Sequence, residues 1–78
     1  MLYVAEVVEL MAAFPGRDFK MADLVGYIAN GRALEIREKR AVRKAAHRAV
    51  DALASTGCIL VHPPRASRGG YAHYRWKD

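Results

Sequence analysis

Seventy-eight residues with 53% apolar content suffice for one domain with a packed core, and are too apolar for wholesale disorder. The single cysteine, Cys58, excludes an intrachain disulfide, so packing alone must hold the fold, with Cys58 expected as a small buried apolar residue. The formal charge is +5, and a pI near 9.8 favours a polyanionic partner, with nucleic acid ahead of an acidic protein or a membrane surface.

That charge is unevenly placed. Residues 1–31 carry two cations against four carboxylates, a net of −2, whereas residues 32–78 carry eleven against four, a net of +7. The opening LYVAEVVELMAAF has no cationic leader and contains Glu6 and Glu9, so it does not read as a signal peptide. Nothing approaches the roughly 18 uninterrupted apolar residues that span a membrane. A cytoplasmic domain occupying residues 1–78 is expected.

In chain order, Leu2 to Phe14 is predicted as the first helix. Val4, Val7, Val8 and Met11 repeat at helical spacing, and Tyr3, Leu10 and Phe14 widen the apolar stripe. Pro15-Gly16 ends it. Asp18-Phe19-Lys20 is too short to classify: it is either a brief extended segment or the lead-in to the next helix. Met21 to Ala29 is the second helix, with Met21, Leu24, Val25 and Ile28 on one face and Asn30-Gly31 as its stop.

Glu35 to Ala54 is predicted as one long helix with two faces. Val42, Ala46, Ala49, Val50 and Leu53 form the stripe that packs on a core. At 100° per residue Arg37, Arg40, Lys44, His47 and Arg48 fall opposite, with Arg43 at the border. Few soluble helices put so many cations on one face without interleaved acids. Such a helix suits a DNA major groove, although a solvated face is the plainer alternative. Gly57 closes the helix.

The period then changes. Cys58-Ile59-Leu60-Val61 is a short apolar run of strand length, and Tyr71 to Lys77 alternates. Ala72, Tyr74 and Trp76 point one way in that second run, and Tyr71, His73, Arg75 and Lys77 point the other. Two strands around the loop HPPRASRGG predict a β-hairpin, its Tyr74 and Trp76 closed onto the helices and Arg65, Arg68, His73 and Arg75 left outside.

The pattern MADLVGYIA, the helix ending AVDALASTGCILV and the closing YAHYRW together resemble the winged helix-turn-helix family over nearly the whole chain. The likeness is one of architecture, since none of these is a signature motif. In size the chain is similar to the small regulators of phages, plasmids and fimbrial operons. The resemblance implies an α+β fold of three helices followed by a C-terminal hairpin wing, and a regulator of transcription that binds double-stranded DNA. It places Arg37, Arg40, Arg43, Lys44, His47 and Arg48 toward the major groove, and Arg65, Arg68, His73 and Arg75 on the wing. It also implies pairing on two-fold DNA sites, for which the apolar first helix offers a surface. Residues 32–36 lengthen the connection before the third helix, which shifts its register by up to about a turn. Pro63-Pro64 is shared with winged helices that bind left-handed duplexes, but the Asn and Tyr those carry on the third helix are absent.

Catalytic chemistry finds no footing. Gly69-Gly70 lies in no phosphate-binding pattern, and Ser55 and Ser67 lack the strand–turn–helix setting of a nucleophile. No two of His47, His62, His73 and Cys58 stand at zinc spacing. The expectation is a binding protein without cofactor or metal. The competing expectation is an interaction module whose basic face meets an acidic protein or RNA.

Overall fold

The computed structural model describes residues 2–62 and 71–77. Its elements run α1 (Val4–Ala13), β1 (Asp18–Phe19), α2 (Met21–Ala29), α3 (Ile36–Ser55), β2 (Ile59–His62) and β3 (His73–Trp76). Three helices pack on an antiparallel three-stranded sheet of order β1-β3-β2, a small α+β layout compatible with a winged helix.

The periodicities translate into packing. Val7 and Met11 of α1, Met21, Leu24 and Val25 of α2, and Val42, Ala46, Ala49 and Val50 of α3 form one buried cluster with Phe19, Ile59 and Tyr74. Among the described residues no polar or charged side chain is buried, so the core needs no internal hydrogen bonds. Ala46 and Ala49 are wholly buried, and their small size lets neighbouring helices approach α3 closely.

Helix ends follow local chemistry. Tyr3 takes a left-handed backbone, φ 66°, so α1 starts at Val4 rather than at Leu2. At the other end Phe14 leaves the helix and is 46% exposed, against the expectation that it would widen the core stripe. Its ring lies 5.3 Å from the Arg17 guanidinium, which also stands 5.4 Å from the Phe19 ring. Between them Pro15-Gly16 turns the chain, with Gly16 at φ 84° and the Arg17 amide donating to the Phe14 carbonyl at 3.2 Å.

For α2, the Asp23 carboxylate accepts the Lys20 amide at 2.9 Å, half of a capping box, and Asn30 closes the other end in the left-handed conformation. In the connection to α3, Leu34 packs on the core. At the end of α3 the Cys58 amide donates to the Leu53 carbonyl at 2.9 Å and Gly57 to Ala54 at 3.1 Å, with Gly57 at φ 84°. That pair of bonds is a Schellman closure, which turns the chain directly into β2. Cys58 itself is half-buried.

β2 and β3 form the hairpin ladder, Ile59 opposite Trp76 and His62 opposite His73. The sheet is larger than a hairpin, however, because Asp18 and Phe19 add a strand on the far side of β3, opposite Arg75 and Tyr74. Opposed residues share a face. Phe19, Ile59 and Tyr74 therefore line the side toward the helices, with Tyr74 only 6% exposed and Trp76 half-buried against the core. Asp18, Leu60, His62, His73 and Arg75 occupy the opposite side. No helix among the described residues is long and apolar enough to cross a membrane.

Candidate nucleic-acid interface

α3 carries its apolar residues into the core and thereby fixes what faces out. Arg37, Arg40, Lys44 and Arg48 are exposed on the side away from the buried stripe, and Arg43 is exposed on its flank. From Arg37 to Arg48 the stripe extends about 16 Å along the axis at 1.5 Å per residue. The first turns of α3 stand clear of the body, since every residue from Glu35 to Ala41 is exposed.

Among the described residues the one ion pair is Arg75 with Asp18, so none of the α3 cations has a carboxylate within salt-bridge distance there. A row of unneutralised cations on a rigid helix favours anionic ligands, and arginine forks suit phosphate oxygens and guanine edges. The row has an end: Asp51, exposed and two turns beyond Lys44 on the same line, brings a carboxylate into the outer face. In sequence Asp51 lies beyond Arg48, the last cation of the predicted stripe, and so is not legible as part of it.

His47 sits differently from its neighbours. It is half-buried and lines a groove of about 520 Å³ together with Lys20, Arg43, Tyr71 and Tyr74. That groove lies beside the start of α2, and the Lys20 ammonium stands 5.6 Å from the centre of the exposed Tyr71 ring. Lys20 was not legible as part of this constellation, because it approaches α3 only through the packing of α2.

On the sheet, Arg75 does not project freely as expected from the alternation. Its Nε donates to Asp18 Oδ1 at 2.9 Å, tying β3 to β1. The hydrogen bond from Arg75 is the first cause that holds the Asp18 carboxyl below its ordinary value, with the nearby positive charges of Arg75, His62 and His73 adding to it and partial desolvation opposing. Burial, with the Asp51 charge behind it, pushes the Tyr74 phenol up and keeps it protonated. His73 is half-buried on the outer side of the sheet, across from His62. The expected wing contacts Arg65 and Arg68 lie outside the described residues.

No group of three or more His, Cys, Asp or Glu among the described residues is placed to hold a metal ion. Compared with protein-family models, curated proteins and solved structures, the chain finds no match in any of the three.

Proposed function

We propose that this protein is a winged-helix transcriptional regulator that binds double-stranded DNA, with α3 in the major groove and the segment between β2 and β3 on the backbone or minor groove. The observation that carries this reading is the outer face of α3. Its cations have no carboxylate partner among the described residues; Arg37 and Arg40 stand on wholly exposed turns, and Lys44 and Arg48 lie opposite the buried stripe. A helix of this kind fits a groove about 12 Å wide, and from Val42 to Val50 its opposite face is held by the core.

Arg40 and Lys44 lie one turn apart near the middle of the stripe. Arg40 reads a base, because a planar fork can bond both acceptors of a guanine, whereas Arg65 and Arg68 neutralise phosphates. Two copies bind together on a two-fold site. Competition titrations against specific and random duplexes at several salt concentrations test this assignment. Arg40→Ala should cost about 1–3 kcal/mol on the specific site and relax base preference, while each wing substitution should weaken all duplexes alike and lower the salt slope by about one unit. Equal losses on both duplexes for Arg40→Ala would reverse the assignment, and no loss from any substitution would remove α3 as the reading element. One chain per minimal site in sedimentation would exclude the pair.

A further inference from the structure

A second groove, of about 510 Å³, runs between α2, the connection after it and the beginning of α3. Its floor is carbon: Ala22, Gly26 and Ala29 of α2, with Leu34 beside them. Its rim is cationic. Lys39 and Arg43 stand one helical turn apart on α3, and Arg32 faces them from the connection. The Arg32 guanidinium is already held in place, its Nε donating to the Ala29 carbonyl at 3.2 Å, so its terminal amino groups are oriented without a partner of their own having to order them. No carboxylate among the described residues pairs with any of the three.

Gly26 adds to this. It lies inside α2 with no positive φ, and a Cβ added there would meet nothing within 4 Å. Neither backbone conformation nor packing within the fold requires a glycine at this place, although glycine weakens a helix interior. With no side chain there, another chain has room to approach the α2 backbone closely.

We infer that this groove is a docking surface for an acidic amphipathic helix of a partner protein, with aliphatic side chains seated over Gly26 and carboxylates paired to Arg32, Lys39 and Arg43. The floor distinguishes this ligand from a nucleic-acid strand. The amides of Gly26 and Ala29 lie in the interior of α2, where helical hydrogen bonds use them. A phosphodiester over this part of the floor would therefore meet carbon with no donors beneath, whereas an aliphatic side chain would lose water on both sides. Acids four residues apart on the incoming helix would match the spacing of Lys39 and Arg43. This surface adjoins the outer face of α3 at Arg43 alone, and it does not depend on what that outer face binds.

The test uses the full chain and a helix-stabilised, fluorescent peptide of about four turns, with leucines three and four residues apart and glutamates flanking them. Its controls are the same composition with the leucine spacing scrambled, and a version with lysine in place of glutamate. The expected result is binding of the first peptide at least about tenfold tighter than either control. Gly26→Leu, which fills the groove, should abolish that preference while melting no lower than the parent. The double substitution Arg32→Glu/Lys39→Glu should weaken the peptide at least about tenfold, and Gly26→Leu, which alters no charge, should leave affinity for a DNA duplex unchanged. Equal binding of the three peptides would overturn the inference, as would indifference of the peptide to Gly26→Leu. Loss of duplex binding in Gly26→Leu with the peptide unaffected would assign the groove to a nucleic-acid strand instead. Either result on the peptide leaves the Arg40→Ala test of α3 standing by itself.

Discussion

Residues 36–41 of α3 are exposed without exception, whereas Val42, Ala46, Ala49 and Val50 farther along the same helix are buried, the last three completely. One helix thus holds a free half and an anchored half. The anchored half is fixed by shape: its alanines set how near the other helices come, and its hydroxyls at Ser55 and Thr56 bond back to carbonyls of Asp51 and Leu53 at 2.9 Å. The free half owes its geometry to that anchorage and to the helical backbone alone. Its N-cap residue Glu35 makes no side-chain cap bond, and only Glu38 in the first turn complements the helix dipole. Side chains there have no packing duty, so their identities are available for whatever they touch.

Substitutions should separate the halves. The largest effect belongs to the anchored side: Leu24→Ala, which hollows the cluster shared with α3, should cost about 2–5 kcal/mol in a denaturant titration. Gly57→Ala should cost about 1–2 kcal/mol, because a Cβ at φ 84° meets its own backbone even though the space around it is open. Stability lost by less than the error of the titration would mean that the Schellman turn relaxes into another closure.

Acid should act on the sheet, at the bridge between β1 and β3. With the Asp18 carboxyl held below its ordinary value in the folded state, the Arg75 pair contributes stability that is present above about pH 4 and disappears as pH falls through the lowered value. Asp18→Asn should therefore melt slightly below the parent at neutral pH and level with it in strong acid. A gap that persisted at low pH would show that the asparagine disturbs β1 for a reason other than charge. The smallest effect belongs to the free half. Ile36→Ala should change stability by no more than about 0.5 kcal/mol, although a large apolar side chain is removed, because Ile36 is 74% exposed.

Much of this division was legible from periodicity. The bounds of α2 follow from four apolar residues at helical spacing between Lys20 and Asn30, and α3 is displaced by one residue at each end from its predicted span. The buried stripe of α3 is the predicted one, with Leu53 partly covered. What escaped were features made by distant parts of the chain. β1 is two residues long, below any period, and exists because β3 pairs with it. Arg75 reads as a free cation until Asp18 is brought beside it. Lys20, Arg32 and Lys39 lie off the α3 stripe in sequence, and only the packing of α2 against α3 gathers them around grooves. Phe14 fits the helical repeat of α1, but the turn at Pro15-Gly16 swings it out to Arg17.

The strand order carries a consequence for how the molecule is made. β3 follows the other five described elements in sequence, and it is the middle strand of the sheet. Until it arrives, β1 and β2 have nothing to pair with, and the side chains joined by the Asp18–Arg75 bridge are 57 positions apart. The helices can collapse early on their local contacts, but the sheet closes only after β3 has been made. A growing chain therefore exposes Phe19 and Ile59 until β3 has emerged, so the sheet is the last part of this domain to form.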